Sequence, residues 1–241
     1  GAKDLITLRG VQRMQEADII FYDRLIDPDV LELARRDAER VFVGKTQGCH
    51  SWPQEKITQT LVAAAKRGKR VVRLKCGDPG IFARSAEEVT ALVMAGIPTE
   101  IVPGVTAACG AAAASGMQLT ERDKVDTLVL TTGHLRDGET TPECVRHIRP
   151  GTCVALYMAV SASPMISEHL QSQDFAEDLE ITIVEKAQTA DQTIATCRAA
   201  NLCETLAAHN IQNTTTIFLR LPKQAAKSQA PKVAAPLATV A

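Results

Sequence analysis

One stretch limits the folds open to this chain more than any other: residues 70–88, RVVRLKCGDPGIFARSAEE. It starts as a β-branched run, Val71 and Val72 leading to Leu74, and breaks at Gly77-Asp78-Pro79-Gly80. It then resumes as a helix-like segment carrying Glu87 and Glu88. A buried strand that ends in glycines and opens onto a helix sets backbone N–H groups at the carboxyl edge of a sheet. Open α/β sheets bind ligands there. This stretch is the expected floor of a ligand site.

The rest of the chain alternates in the same way. Apolar residues recur at helical spacing at Leu5, Leu8, Val11 and Met14. Strands are expected at 17–23, 40–44 and 99–105, with a short helix opened by Asp27-Pro28-Asp29 and an amphipathic one through Ile57, Leu61 and Ala64. Residues 106–115 are almost all small, which predicts a closely packed helix capped by Gly116. A second set of strands is expected at 126–134, 152–159, 180–186 and 214–221, with helices near 163–172 and 190–208. The pattern predicts an α/β protein of two α/β domains, 1–106 and 107–222, each with a parallel or mixed sheet. Residues 223–241, rich in Ala, Lys, Pro and Gln, read as a disordered tail. The chain opens on Gly-Ala-Lys-Asp without an initiator Met, so further residues are expected upstream.

Several classes are disfavoured. A net charge of −1 and 3% aromatics provide neither a basic field nor stacking platforms, so no nucleic-acid partner is expected. No apolar run is long enough for a membrane span, so no membrane partner is expected either. The seven cysteines are odd in number and lack CxxC or zinc spacing. They read as free thiols in a reducing cytoplasm, and no metal site is expected. Gly44-Lys45-Thr46 looks like the end of a phosphate-binding loop, but Glu39 stands where its first glycine belongs. GxGxxG, HExxH and GxSxG are all absent.

What remains is a set of polar groups at strand ends: Asp23, Lys45, Gly77-Asp78 and Thr106. In a parallel sheet these ends share one edge and can line one cleft. Singly, each has a structural reading: Asp23 as a turn or N-cap residue, Lys45 as a solvated charge, Gly-Asp-Pro as a turn. Four at one edge favour a site.

These residues sit in ordered segments: Phe21-Tyr22-Asp23-Arg24-Leu25, Val43-Gly44-Lys45, His50-Ser51-x-Pro53-Gln54-Glu55, Lys75-Cys76-Gly77-Asp78-Pro79, Pro103-Gly104-Val105-Thr106 and Thr132-Gly133-His134. Together they resemble the uroporphyrinogen-III C-methyltransferases of the tetrapyrrole methylase family, over residues 1–192. The YDRL, VGK and HSxPQ segments carry the narrower likeness; Gly-Asp-Pro and Pro-Gly-Val-Thr alone indicate the wider family. The resemblance implies S-adenosylmethionine as methyl donor, with C2 and C7 of uroporphyrinogen III as acceptors and precorrin-2 as product. It also implies a homodimer of two-domain subunits with the active site in the cleft between domains.

By the same resemblance Asp23 matches a proton acceptor and Lys45 a proton donor. A lysine of ordinary pKa, about 10.4, is a poor acid at neutral pH unless burial or a nearby cation lowers it. Lys45 equally suits holding a substrate carboxylate. Cys76, Gly77, Asp78, Ile81, Thr106, Ala107, Met158 and Ala187 match cofactor-contact positions, although a Met on an apolar strand is as readily core packing. The acceptor's carboxylates need cations, for which Arg24, Arg84, Arg122 and His134 are candidates. The chain departs from the family in Cys76 for Gly, Gly80 for Phe, Ala83, Ser85 and Ala86 for glycines, and Ala159 for Gly. The family's opening strand and Gly-Ala-Gly-Pro loop would precede Gly1. Two other readings stand beside this one: a methylase of a later corrin intermediate, and a non-catalytic module binding cofactor or tetrapyrrole.

Overall fold

The computed structural model describes residues 1–44, 52–134, 143–212 and 214–223. It resolves into two compact units. The first joins Gly1–Met117 to Lys186–Thr193; the second joins Gln118–Glu185 to the residues from Ile194 onward.

In the first unit α1 (Leu8–Glu16) starts at Thr7, whose hydroxyl accepts from the N–H of Gly10 at 3.2 Å. There follow β1 (Ile19–Tyr22), α2 (Pro28–Leu31), β2 (Glu39–Phe42), α3 (Gln54–Lys66), β3 (Val71–Leu74), α4 (Ser85–Met94) and α5 (Ala107–Ser115). The three strands form a parallel sheet in the order β2-β1-β3. Alternation along β1 sends successive side chains to opposite faces. Ile20 joins Met14, Val30 and Leu31 on one face, while Ile19 and Phe21 join Ile57, Leu61 and Ala64 on the other. Helices α1 and α2 therefore cover one side and α3 the other. Asp27 caps α2 by accepting from the N–H of Asp29 at 2.9 Å, as the Asp-Pro-Asp pattern predicts.

The second unit contains β4 (Thr127–Thr132), β5 (Thr152–Tyr157), α6 (Ser163–Gln171), β6 (Glu180–Glu185), β7 (Thr193–Cys197), α7 (Leu202–Ala208) and β8 (Thr215–Leu221). Its sheet runs β4-β5-β8-β6-β7 and is mixed, with β4 parallel to β5 and β8 antiparallel to both β5 and β6. Val154, Leu156, Ile183, Ile217 and Leu219 are fully buried against Ile166, Leu170 and Leu202 of the helices.

Three local expectations are revised. Residues 99–105 form no strand: Pro98 and Pro103 lack the N–H a ladder requires. Their polar groups go to α1 instead, with Thr7 Oγ1 donating to the carbonyl of Pro103 and Arg13 to Glu100. The expected helix at 190–208 divides into β7 and α7, because Thr193, Ile194 and Thr196 are β-branched and Ala195 alone of that run is buried. The compact units divide at Met117 rather than at 106, because α5 packs with the first unit, where Gln188 Nε2 donates to the carbonyl of Gly110 at 3.1 Å.

Candidate active site

At the carboxyl end of β1 stands Asp23, one residue beyond the strand. Arg73 of β3 lies opposite Phe21 in the register, so the alternation 21, 23 and 71, 73, 75 puts Asp23, Arg73 and Lys75 on the α3 face. Arg73 NH2 donates to Asp23 Oδ1 at 2.6 Å and its Nε to Glu88 Oε1 of α4 at 3.2 Å. Its NH1 donates to the carbonyl of Leu74 at 3.0 Å. Glu88 also receives Lys75 Nζ, 3.0 Å from Oε2, and Gln54 Nε2 at 3.0 Å; Lys75 donates in addition to the carbonyl of Ala83 at 2.7 Å. Side-chain exposure rises from 4% at Glu88 and 6% at Lys75 to 12% at Arg73 and 32% at Asp23. Two acids and two bases alternate, so the chain of charges is neutral. Removing one member of so buried a set costs about 3–5 kcal/mol, because its partner's charge is left uncompensated.

The turn after β3 is built on Gly77 and Asp78. Gly77 has φ +74°, a left-handed conformation that glycine adopts without strain. Asp78 clasps two loops: Oδ1 accepts from the N–H of Gly80 at 2.7 Å and Oδ2 from that of Gly104 at 2.9 Å. Each glycine is needed for its own reason: a Cβ on Gly104 would drive into the carbonyl oxygen of Gly77, while Gly77 is required by its positive φ, since a Cβ there would meet the backbone of Thr106 and Ala107 only at an ordinary 3.7 Å. The expected cofactor residues Gly77, Asp78, Thr106 and Ala107 are thereby brought together. Thr106 is the N-cap residue of α5 and Ala107 its first, exposed residue. Ile81 lies half-buried on the same turn, its N–H donating to the carbonyl of Asp78 at 3.1 Å. Cys76 is exposed. Ala187 sits between Lys186 (φ +47°) and Gln188 (φ +63°), in the segment that Gln188 ties to α5.

Arg84 is exposed and adopts φ +54°, which costs a non-glycine residue about 1–3 kcal/mol. Its guanidinium meets Glu87 twice at 2.8 Å, and that hydrogen bonding holds the Glu87 carboxyl below the usual carboxylate range. Arg24 is exposed beside Gly44, where an added Cβ would fall 2.5 Å from the Arg24 nitrogen. Lys45, the expected proton donor, lies outside the described residues, as do His50 and Ser51 of the HSxPQ segment. Gln54 of that segment opens α3 and holds Glu88.

In the second unit, β4 and β5 end side by side. The N–H of Gly133 donates to the carbonyl of Tyr157 at 2.7 Å, and a Cβ on Gly133 would collide with Ala159. Met158 follows β5 with φ +55° and is 56% exposed, so its side chain is no part of the core. His134 is exposed after β4, its N–H donating to Thr132 Oγ1 at 3.0 Å, and Arg122 is exposed 3.9 Å from Asp123.

Arg73, Lys75 and Glu88 escaped the sequence reading. A parallel strand covered on both faces reads as a nearly continuous apolar run, so Arg73 inside β3 and Lys75 just beyond its end were the available signal that buried acids await them.

The siroheme synthase of Pseudomonas fluorescens (strain Pf0-1) is 42% identical over 219 residues, which are 91% of this chain and 47% of that protein. The chain thus spans about half the length of the curated relatives it matches. A uroporphyrin-III C-methyltransferase from Thermus thermophilus, solved in complex with S-adenosylhomocysteine, superposes with a TM-score of 0.72 at 31% identity, over 90% of this chain and 91% of that one. A cobalt precorrin-4 methyltransferase of cobalamin biosynthesis superposes with a TM-score of 0.78 at 27% identity, over 91% and 90%. The family model for tetrapyrrole (corrin/porphyrin) methylases matches residues 1–203, and the chain belongs to that family.

Proposed function

We propose that this chain transfers methyl groups from S-adenosylmethionine to C2 and C7 of uroporphyrinogen III, giving precorrin-2, the branch point toward sirohaem and cobalamin. The likeness to the Thermus enzyme, whose complex holds S-adenosylhomocysteine, carries the reading. The residues present fit such a donor. Gly77 and Ala107 offer backbone and a single methyl, and half-buried Ile81 adds an apolar wall. Both Asp78 oxygens accept backbone N–H groups, so its part is to set the shape of this shelf. Thr106, Met158, Ala187 and exposed Cys76 complete the proposed contacts.

S-adenosylmethionine supplies a methyl already activated on a sulfonium, whose bond breaks as a pyrrole carbon donates the electron pair for the new C–C bond. The chain's work is therefore orientation and proton handling. Asp23 accepts the proton that the macrocycle sheds after methylation. Arg73 holds Oδ1, and Oδ2 is the oxygen through which the group acts. Lys45 returns a proton during double-bond rearrangement. Arg24, Arg84, Arg122 and His134 hold the substrate's carboxylates, Arg84 giving up its Glu87 pair to do so. We place the enzyme in the cytoplasm as a homodimer; among the described residues no helix is long and apolar enough to cross a membrane.

Mass spectrometry after incubation with both substrates tests this: two methyl additions to the tetrapyrrole are expected, and none would overturn it. The higher TM-score to the cobalt precorrin-4 enzyme motivates a second reading, methylation of a later corrin intermediate. Competition between that class of substrate and uroporphyrinogen III separates the two.

A further inference from the structure

We infer that Arg73 is a positioning residue for the reaction, aiming the Asp23 carboxylate through a buttress made of Glu88 and Lys75. The inference rests on Asp23 being the proton acceptor. Arg73 is engaged on all three nitrogens: NH2 to Asp23, Nε to Glu88, and NH1 to the carbonyl of Leu74. A planar guanidinium bonded in three directions has no rotational slack, so Asp23 Oδ1 is referred directly to the backbone of β3 and to α4. Glu88 is held in turn by Lys75 and Gln54, and Lys75 by the carbonyl of Ala83.

Two features set this apart from a stability device. A buried ionic set is weak evidence for stability, since apolar residues of like volume commonly serve as well. The set is also graded, with Glu88 at 4% exposure and Asp23, at 32%, the member that reaches solvent. Every other charge in it is consumed within the protein. The arrangement delivers one carboxylate with a fixed direction to the end of β1.

The test is a double-mutant cycle on turnover, with uroporphyrinogen KM and S-adenosylhomocysteine affinity measured alongside. Asp23→Asn is expected to lower kcat by about 100-fold or more, the range of acid–base contributions. Arg73→Lys keeps a cation, but one ammonium cannot reach Asp23, Glu88 and the Leu74 carbonyl together. It is expected to lower kcat about tenfold or more and to change KM and cofactor affinity less than about twofold. In the Asp23→Asn background the same change is expected to cost less than about twofold, because Arg73 acts through Asp23. An equal loss in both backgrounds overturns the inference and leaves the role of Asp23 standing. If Asp23→Asn alone leaves kcat intact, the proton-acceptor assignment falls, and this inference with it. Should Arg73→Lys not fold, Glu88→Gln, which preserves shape, enters the same cycle with the same expected non-additivity.

Discussion

Replacing Gly104 by alanine tests the shelf directly. The added Cβ would press into the Gly77 carbonyl, inside the 3.0 Å below which Cβ atoms essentially never come, with the Gly77 carbonyl carbon at 3.1 Å and Asp78 Cα at 3.5 Å. All three neighbours are backbone atoms, so no flexible side chain can swing aside. The two loops must part, and the 2.9 Å bond from the Gly104 N–H to Asp78 Oδ2 is lost as they do. A hydrogen bond to a charged group contributes about 1.5–3 kcal/mol. Overpacking adds about 1–3 kcal/mol. A loss of about 3 kcal/mol or more in the first unit is expected, read as a shift in urea midpoint. Calorimetric titration should show S-adenosylhomocysteine binding weakened at least about tenfold, equivalent to about 1.4 kcal/mol. Gly110→Ala is the matched control. Gly110 lies inside α5, and an added Cβ would find only Gln188 Cγ at 3.9 Å. That change should stabilise by about 0.5–1 kcal/mol, the helix-interior difference between the two residues. If both variants move stability in the same direction, or Gly104→Ala binds the cofactor product as tightly as wild type, the shelf geometry is wrong.

Three further outcomes are expected. Burial pushes the Cys144 and Cys153 thiols up to about 11, while Cys76 and Cys109 are exposed. Iodoacetamide at mildly alkaline pH should therefore modify the exposed pair and spare the buried one, and S-adenosylhomocysteine should slow modification of Cys76; four equal rates would contradict this. Asp18 accepts from the Arg70 N–H at 2.8 Å and from Arg35 at 3.0 Å, and these bonds hold its carboxyl below the ordinary aspartate range, the Arg70 N–H most. A carboxyl lowered by folding stabilises above its unfolded pKa, about 3.9, and loses that contribution as pH falls through the folded value. Asp18→Asn should thus be destabilising near neutrality, with the gap from wild type closing in acid, as urea midpoints across pH will show. Gly133→Ala forces Gly133 off Ala159 and should cost the second unit about 1–3 kcal/mol in thermal unfolding.

Much of this architecture was legible because the signals were local. Ile19-Ile20-Phe21-Tyr22 announces a strand by β-branched and aromatic content, Asp27-Pro28-Asp29 a helix start, and Gly116 (φ +68°) a helix stop. Residues 99–105 carry the β-branched Ile101, Val102 and Val105 as well, but Pro98 and Pro103 remove ladder donors, and strand formation depends besides on a pairing partner, which no local pattern supplies. The site divides along the same line. Gly77 was visible as a break, whereas Gly104 stood inside the strand expected at 99–105, and the contact between them is closed by Asp78, 26 residues before Gly104. Nothing in the sequence marks Arg73 and Glu88, 15 residues apart, as a pair before β3 and α4 fold over one another. Spacing finds residues on one element; it does not find partners on two.

The place of β8 governs how the second unit can be made. It follows the other strands of its sheet in sequence, yet it is the strand between β5 and β6, pairing with each along six residues and carrying fully buried Phe218 and Leu219. During synthesis, β5 and β6 emerge long before the strand that joins them. Until it arrives, two apolar strand edges stand open to any extended peptide, a known route to aggregation. Closing the sheet is then a late, long-range event of the kind that slows folding. A nascent chain stalled before Thr215 is the species a cell would have to shelter, and a supplied peptide matching Thr215–Leu221 is the shortest piece that could complete it.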